Sequence, residues 1–478
     1  MFNSSRTTYI CCYGVTIVGR DIRMERVDTV LSGGYIITLD EFNRVIPGGA
    51  VAIRDGVIVD VGVEDDIRGK YVGEEVVERR HHIIIPGLVD CHTHTQQYLL
   101  RSAINDAMLQ LPPVWTKVLV PFERMMGEDL ARLSTRASIV NMLRNGVTYF
   151  IEAGAPYPET LAQEVLRSGI RGVVTYATYD VAEEKVTEPG EVLRKVEELY
   201  RSYSSGGGNL HVWMSIRQVM MVTEELMDAV MEMGRKYGVG LTLHLGEYQG
   251  EVDYTLAKHG RRPLEYLVER GLKHVKPVII AHGVFFSPNE IELLRRYGMG
   301  VCWCPTVDSW LMGPHWAGFT GIEGLRIGLG SDGGAWGRLD ILHEVKVAKA
   351  LGKAVANAVS YFKAGLNSTT LLGMATGSRG LMTGEKVGRV EKGYAADLTI
   401  LDARTIKTLP LNNPVDSVVN YLEGDNVTDV MIEGRLVVKN GRVSSMDEEG
   451  IVRELLEREE EVKEKLRELT KQLKVLSA

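Results

Sequence analysis

Short apolar runs alternate with amphipathic helical segments through the middle of the chain. Segments with helical periodicity, such as Asp129 to Asn145 and Glu224 to Tyr237, separate eight strand-like runs. The runs are Leu88 to His94, Val147 to Ala153, Gly172 to Thr178, Val212 to Gln218, Gly240 to Leu245, Pro277 to His282, Gly300 to Cys304 and Leu325 to Gly330. This pattern predicts an α/β fold of the (β/α)8 TIM-like barrel type, whose active site would lie at the C-terminal ends of the strands. An open doubly wound sheet is the alternative, but its glycine-rich phosphate turn is missing.

Both ends of the chain consist of short strands separated by turn signals. Tyr35 to Leu39 and Ala52 to Val59 precede the barrel, and Asp55-Gly56 within the second run is a strong hairpin signal. The same pattern of short strands and turns follows the barrel in Asp397 to Asp402 and Val430 to Val443. Each flank is too small to fold alone, so we expect the two to combine.

These patterns predict four regions. Residues 1–23 form an extension that is disordered or that precedes the true start at Met24, and residues 24–85 plus 387–445 form a composite β-sandwich domain. Residues 86–386 form the barrel, and residues 446–478 form a C-terminal amphipathic helix that packs on the barrel or on a second subunit.

Composition indicates a soluble globular protein. Of 478 residues, 45% are hydrophobic and 25% are charged, which leaves room for one large and one small domain. A net charge of -8 gives no reason to expect nucleic acid or an anionic membrane as a partner. The chain has no long apolar span and its first residues do not resemble a signal peptide, so we expect a cytoplasmic location.

The cysteine pattern supports the same location. The five cysteines, Cys11, Cys12, Cys91, Cys302 and Cys304, are odd in number and lack zinc-finger spacing. We therefore expect no disulfide framework. Cys302 and Cys304 are interpreted as small fillers of a buried strand rather than as metal ligands.

Polar residues end several of the apolar runs. His92 and His94 end the first, His244 the fifth, His282 the sixth, and Asp332 follows the eighth. Histidines two apart on a strand share a face, and strand ends meet at one rim of a barrel. Three neutral imidazoles and one carboxylate suit a divalent ion such as Zn²⁺ or Fe²⁺ and leave a position for water.

Glu247 lies three residues after His244 and would sit beyond the same strand end. A glutamate in a loop is usually only solvated, so its interpretation as a proton carrier depends on this neighbour.

These residues resemble the amidohydrolase superfamily, in its mononuclear aminohydrolase and chlorohydrolase branch. The resemblance is carried by Pro86 to His94, His244 to Glu247, Ala281-His282 and Ser331 to Gly334, and it continues into Val387 to Leu398 near the end of the chain. The branch includes methylthioadenosine/S-adenosylhomocysteine, guanine and cytosine deaminases and triazine hydrolases. Binuclear relatives need a lysine on the fourth strand, and His211 to Gln218 contains none.

The resemblance implies one divalent metal per chain, with Zn²⁺ as the first expectation and Fe²⁺ as the alternative. Its ligands would be His92, His94, His244 and Asp332. Glu247, His282 and Asp332 would be catalytic: Glu247 would protonate a ring nitrogen, His282 would hydrogen-bond the attacking hydroxide or developing oxyanion, and Asp332 would accept the proton of water. The implied function is a hydrolytic deaminase of a purine, pyrimidine, nucleoside or triazine.

The substrate is not predicted further. By resemblance, Trp115 and Glu123 after the first strand would favour a purine-like ligand. Other substrate-binding residues of the nucleoside deaminases are replaced. Candidates for the pocket here are Arg217, Gln218, Trp336 and Arg338, each of which could instead be structural.

Two other functions stay open at this point. One is an amide or cyclic-urea hydrolase on the same fold, and the other is a non-catalytic binding barrel. A small-molecule substrate and a homo-oligomer, dimer or tetramer, are expected by resemblance to the family.

Overall fold

The computed structural model describes residues 24–104, 114–182, 186–205, 208–311, 324–359, 366–378 and 383–472, together with residues 313 and 316. The extension expected over residues 1–23 and the last residues of the expected C-terminal helix, 473–478, lie outside the described residues.

The strands and helices occur in the following chain order. The first flank contains β1 (Glu25–Ile37), β2 (Val45–Arg54), β3 (Val57–Val63), α1 (Glu64–Lys70) and β4 (Tyr71–Pro86). The strands of the central part are β5 (Leu88–Thr93), β6 (Val147–Glu152), β7 (Arg171–Val174), β8 (Leu210–Val212), β9 (Met214–Gln218), β10 (Leu241–Leu245), β11 (Val278–His282), β12 (Gly300–Trp303) and β13 (Arg326–Leu329). Its helices are α2 (Val120–Met125), α3 (Glu128–Arg144), α4 (Pro158–Ser168), α5 (Pro189–Tyr203), α6 (Glu224–Tyr237), α7 (Gln249–His259), α8 (Pro263–Glu269), α9 (Pro288–Tyr297), α10 (Pro305–Leu311), α11 (Ile341–Val359) and α12 (Ser368–Ala375). The last flank contains β14 (Leu398–Asp402), α13 (Pro414–Tyr421), β15 (Val427–Ile432), β16 (Arg435–Lys439), β17 (Arg442–Val443), α14 (Glu448–Glu457) and α15 (Glu459–Gln472).

The central strands form two parallel sheets, in the orders β5-β6-β7-β8 and β13-β12-β11-β10-β9. Trp213 alone separates β8 from β9, so the fourth predicted strand is present as two pieces. At the other side, the Asp332 N–H donates to the His92 carbonyl at 3.0 Å and links the end of β13 to β5. Parallel strands alternating with helices make this a TIM-barrel-like domain, and closure into a barrel stays a prediction.

Local sequence accounts for these elements. A parallel strand covered on both faces needs a continuous apolar run, and every residue of β10 and β11 is buried. Helix α6 buries one stripe that includes Leu226, Val230 and Met231, while its other face is exposed. Thr223 caps its N-terminus by accepting from the Leu226 N–H, and Gly238, with φ +65°, ends it.

The two flanks share one eight-stranded sheet, in the order β17-β16-β15-β14-β4-β1-β2-β3. The hairpin predicted at Asp55-Gly56 is present, with both residues at positive φ between β2 and β3. Antiparallel pairing of β14 with β4 joins the flanks, and Arg79 forms a bidentate pair with Asp429 at 2.8 Å for both bonds. A two-layered sandwich within this region stays a prediction.

The C-terminal segment forms two helices rather than one, because Arg458 interrupts it between α14 and α15. Val462 and Leu469 bury their side chains in a cluster with Phe122 of α2 and Leu130 of α3. Arg136 pairs with Glu454 at 2.7 Å. The described part of this segment therefore packs against helices of the same chain.

One cysteine pair corrects the expectation of no disulfide. Cys91 of β5 and Cys302 of β12 are bonded, with Cα atoms 5.8 Å apart, whereas Cys304 is a free, buried thiol. Strand β13 lies between them, and a Cβ at Gly328 or Gly330 would come within 2.7 or 2.6 Å of the sulfur of Cys91 or Cys302, respectively. The two glycines make room for a bridge that spacing along the sequence does not reveal. The cysteines therefore no longer argue for a reducing compartment.

Candidate active site

Four of the predicted ligand residues converge where the central strands end. The Nε2 atom of His92 lies 3.1 Å from Oδ1 of Asp332, and the Nε2 atom of His94 lies 3.5 Å from the same oxygen. The Nε2 atoms of His94 and His244 are 3.1 Å apart. All four side chains are buried. The structure thus brings together residues from β5, β10 and the segment after β13.

His282, the last residue of β11, joins this cluster. Its ring centroid lies 5.1 Å from that of His92 and 5.5 Å from that of His244. One potential ligand atom from each of His92, His244, His282 and Asp332 falls within 4.8 Å of the others. His282 is therefore close enough to the other three to contribute to the same ion site.

Two of these residues have left-handed backbone conformations. The φ angle is +67° at His282 and +55° at Asp332, a region that costs a side-chain-bearing residue on the order of 1 kcal/mol. The neighbouring structure supports both turns: Asp332 N–H donates to His92, and Gly283 N–H donates to Leu245, each at 3.0 Å. Such turns redirect a side chain at a strand end, and here both side chains join the histidine cluster.

The histidines fit a metal ion chemically. Burial holds the pKa of His94 and of His244 well below the ordinary value, so both imidazoles are neutral and keep a lone pair for a ligand. The Nδ1 atoms of His92, His94 and His244 have no hydrogen-bond partner among the described residues. The donor set that a divalent ion of the Zn²⁺ type would satisfy is formed by the converging Nε2 atoms of these rings and the carboxylate of Asp332.

His282 is held between two carboxylates. Its Nδ1 lies 2.8 Å from Oδ1 of Asp308, and its Nε2 lies 3.8 Å from Oε1 of Glu247. Burial disfavours the charged ring, but the charges of Glu247 and Asp308 outweigh it and raise the pKa of His282 to about 10. Burial raises the pKa of Glu247 to about 7, despite the opposing charge of His282. The pair can therefore hold a proton near neutral pH.

A small cavity of about 20 Å³ lies beside this cluster. Its lining consists of His94, Trp115, Leu119, Arg217, Gln218, His244, Glu247, Asp332 and Trp336. Four predicted substrate-binding residues, Trp115, Arg217, Gln218 and Trp336, are in this set. Glu123 lies behind it, where its Oε1 accepts from Gln97 at 2.6 Å and from Arg217 at 3.1 Å.

Arg338 does not reach the cavity, contrary to the sequence interpretation. Its side chain is 49% exposed and lies 3.7 Å from Glu423. The chain has left the site by this residue, since the carbonyl of Leu339 accepts from the side chain of Asn145, which lies between α3 and the start of β6, away from the strand ends that carry the histidines.

Comparison with known proteins places this geometry in a family. Residues 83–437 match the amidohydrolase family, a stretch that runs from the end of β4 into β16. The chain belongs to the amidohydrolase family.

Several relatives of this amidohydrolase are named deaminases. It is 30% identical over 444 residues to the 5'-deoxyadenosine deaminase of Methanopyrus kandleri, covering 91% of this chain and 98% of that protein. It is 29% identical over 431 residues to the 5-methylthioadenosine/S-adenosylhomocysteine deaminase of Pyrococcus furiosus, covering 89% and 99%. With the family match, these relatives make the chain a hydrolase that acts on carbon–nitrogen bonds.

Solved structures share the fold. The zinc-bound adenosine deaminase of Xanthomonas campestris matches with a TM-score of 0.84 at 25% identity, covering 92% of this chain and 99% of that one. The zinc complex of the atrazine chlorohydrolase of Arthrobacter aurescens matches with a TM-score of 0.79 at 20% identity, covering 92% and 100%. The second likeness shows the fold alone.

Three buried acids of the amidohydrolase site were missed by the sequence interpretation. Asp308 lies in α10 and holds His282. Glu152 ends β6 and accepts from the N–H and the hydroxyl of Thr95 at 2.9 and 2.5 Å. Asp90 accepts from the backbone N–H of Ser331 at 3.0 Å and fixes the segment that carries Asp332. The rule of polar residues at strand ends would have found Glu152 had it been applied to the second strand.

Proposed function

We propose that this amidohydrolase is a metal-dependent aminohydrolase that releases ammonia from an aminated heterocycle. The observation that carries the proposal is the position of Glu247, which lines the cavity beside the histidine cluster, with its pKa raised by burial to about 7. A carboxyl group that still holds a proton near neutral pH can protonate a ring nitrogen, which hydrolysis of an amide does not require. The named deaminase relatives support the same reaction.

One divalent ion would be held by His92, His94, His244 and Asp332. Zn²⁺ is our first choice, because of the borderline nitrogen and oxygen donors, and Fe²⁺ is the alternative. Such an ion lowers the pKa of a bound water and so supplies a nucleophile near neutral pH.

The other steps are carried by side chains. Glu247 donates a proton to a ring nitrogen of the substrate, and Asp332 accepts a proton from the attacking water and returns it to the departing amine. His282, with Nδ1 held by Asp308 and Nε2 unpartnered among the described residues, donates a hydrogen bond to the attacking oxygen or to the oxyanion that develops there.

We propose that the substrate contains a flat aminated ring and is a purine, a pyrimidine, one of their nucleosides or a triazine. Trp115 and Trp336 line the cavity and offer stacking surfaces. Glu123 would be the ribose contact of a nucleoside, but it is buried behind Arg217 and paired with it. The proposal therefore includes nucleosides without requiring them.

We also propose which partners the enzyme has and where it is located. A small-molecule substrate needs no nucleic acid or membrane partner, and none of the helices in the described ranges is both long and apolar enough to cross a membrane. A homo-oligomer, dimer or tetramer, and a cytoplasmic location are further proposals, of which sedimentation tests the first.

The test is ammonia release across a panel of aminated purines, pyrimidines, nucleosides and triazines. The enzyme is stripped of metal with a chelator, reconstituted with Zn²⁺ or Fe²⁺, and its metal content is measured. We expect metal-dependent ammonia from at least one compound. Silence across the panel with one bound ion per chain would favour the amide or cyclic-urea hydrolase, and silence without bound metal would contradict the ion site itself.

A further inference from the structure

Gln218 connects the loop after β5 to Glu247. It is the last residue of β9, and its side chain is only 1% exposed. Its Oε1 accepts from the Trp115 indole Nε1–H at 3.0 Å, and its Nε2 donates to Oε2 of Glu247 at 3.2 Å. Both ends of the amide are thus engaged by protein groups.

The chemistry of the partners sets the orientation of this amide. An indole nitrogen can only donate a hydrogen bond, so the amide oxygen must face Trp115. The amide nitrogen must then face Glu247, whose Oε2 accepts from it. A chain of buried hydrogen bonds with every member in use is stiff, because breaking any one leaves a desolvated polar group.

The hydrogen bond from Gln218 to Oε2 orients the other carboxylate oxygen of Glu247. Oε1 is the carboxylate oxygen that lies 3.8 Å from Nε2 of His282, on the side of the histidine cluster. The carboxyl plane of Glu247 can rotate about its last side-chain bond, which would turn both oxygens away from these two neighbours. The bond from Gln218 opposes that rotation and keeps Oε1 toward the reacting side.

Trp115 is itself well fixed. It begins a π-helical turn, Trp115–Leu119, a feature frequent at functional sites. Its ring meets the edge of Tyr248 at a centroid distance of 4.9 Å. Since Tyr248 follows Glu247 directly, the indole contacts the Glu247 segment both through this ring and through Gln218.

We propose that Gln218 is a positioning residue that orients Glu247 and does not itself bind the substrate. Trp115 fixes the orientation of the Gln218 amide. The inference rests on the proposed function in giving Glu247 the role of proton donor. Gln218 was expected to bind substrate, so the two assignments make different predictions for its variants, while the ring of Trp115 still lines the cavity.

The kinetic test uses Gln218→Met, which keeps most of the side-chain volume and removes both hydrogen bonds. We expect kcat to fall by about 10- to 100-fold with KM within about threefold and metal content unchanged. Trp115→Phe, which keeps a ring but loses the N–H, should lower kcat in the same direction. Gln163→Met, on the exposed side of α4, is the matched control.

A double variant separates positioning from substrate binding. If Gln218 acts through Glu247, Gln218→Met should cause little further loss in a Glu247→Gln background. A raised KM, or an equal loss in that background, would show that Gln218 contacts substrate and would overturn the proposal. Loss of metal or a large fall in melting temperature in Gln218→Met would reduce it to a structural residue.

A measurement without substrate tests the hydrogen-bond chain by itself. In protein labelled with ¹⁵N-tryptophan, the Trp115 indole signal is identified by its absence in Trp115→Phe. We expect this signal to shift in Gln218→Met and, by a smaller amount, in Glu247→Gln. An unmoved signal in Gln218→Met would contradict the hydrogen-bond chain from Trp115 through Gln218 to Glu247, whatever the substrate is. Shifted signals together with no ammonia from any compound of the panel would instead support this hydrogen-bond chain and contradict the proposed function.

Discussion

Glu247 combines burial with a neighbour of opposite charge, and this combination determines what its substitution should do. Glu247→Gln keeps the size and the bond from Gln218 but removes the proton that the carboxyl group carries. We expect metal content to be unchanged and kcat to fall by about 10²- to 10⁴-fold, the usual range for loss of a general acid. Metal analysis and ammonia release measure both quantities. Full activity in this variant would remove Glu247 from the reaction, and Asp332→Asn, by comparison, should impair metal binding as well.

Asp308 leads to a second prediction, at His282. Asp308→Asn removes a charge that helps to raise the pKa of His282, so the ring becomes less readily protonated and less firmly oriented. We expect kcat to fall by about 10- to 100-fold with metal content retained. The pH profile of kcat should also move: since the carboxylate raises the pKa of His282, its loss shifts a limb due to that residue to lower pH. A profile and rate equal to those of the wild type would show that Asp308 is only structural.

At this scale the sequence predicts residue positions at strand ends but not their partners. His92, His94, His244, His282 and Asp332 follow apolar runs, a local signal that sequence reasoning can detect. Asp308 reaches His282 from a different strand–helix unit, and Gln218 meets Trp115 from 103 residues away. Such contacts depend on tertiary packing, and a single sequence carries no direct signal of them.

Among the elements, the pairing of β4 with the last flank is reinforced by an ion pair whose carboxylate is fully buried. Asp429 has a fully buried side chain and accepts two hydrogen bonds from Arg79. Asp429→Asn should lower the free energy of unfolding by about 3 kcal/mol near neutral pH, because it leaves the guanidinium without its counter-charge. Glu78→Gln, which removes a half-exposed partner of Arg80 in the same strand, should cost under about 1 kcal/mol and is the control.

The effect of Asp429→Asn should depend on pH. Burial disfavours the carboxylate, but the bonds from Arg79 outweigh it and hold the pKa of Asp429 below its ordinary value of 3.8. A depressed pKa means that the stabilisation is complete above the unfolded-state value and is lost as the pH falls through the folded-state value. Urea unfolding at several pH values should show the difference between wild type and variant shrinking below about pH 4. A difference that stayed constant in acid would contradict this assignment.

The strands and helices themselves were largely predictable, and the exceptions have identifiable causes. Helix α6 has the bounds that its periodicity predicts, Glu224 to Tyr237, because Thr223 and Gly238 cap its two ends locally. The third predicted strand is shorter, ending at Val174, and the fourth is interrupted at Trp213, because sheet pairing there depends on neighbours rather than on the apolar run. Arg458 interrupts the C-terminal helix although its periodicity continues on both sides.

At the scale of the whole molecule, the Cys91–Cys302 bond closes a loop of 211 residues that contains most of the central domain. Cross-linking so long a loop restricts the unfolded chain, so the Cys91→Ser/Cys302→Ser variant should lose about 3 to 5 kcal/mol of unfolding free energy. A reductant should destabilise the wild type by a similar amount and leave the double variant unchanged. Cys304→Ser keeps the bond and is the control. Alkylation of Cys91 and Cys302 in denatured, unreduced protein would show that no bond exists.

The overall arrangement could be predicted because each level of the sequence pointed to the same answer. Alternating strands and helices predicted the TIM-like domain, and two strand-rich flanks predicted a shared region, which appears as one sheet. The disulfide could not be predicted, because it requires knowing that β5 and β12 approach each other across β13. Two glycines without side chains make that approach feasible, but a glycine in a strand can also mark a bulge or a tight bend.

The shared sheet also has a consequence for how the chain is made. Arg79 and Asp429 are 350 residues apart, so a ribosome adding about 5 to 20 residues each second delivers the partner of Arg79 roughly 20 to 70 s after Arg79 itself. During that interval β4 has one edge without its native neighbour. The segment of β4 that later pairs with β14, His82 to Pro86, is largely apolar, and the charged residues Glu78 to Arg80 stand just before it. Charged residues that flank such a segment discourage it from pairing with another nascent chain. Arg79, which pairs with Asp429 in the finished sheet, would thus also help to protect its incomplete form during translation.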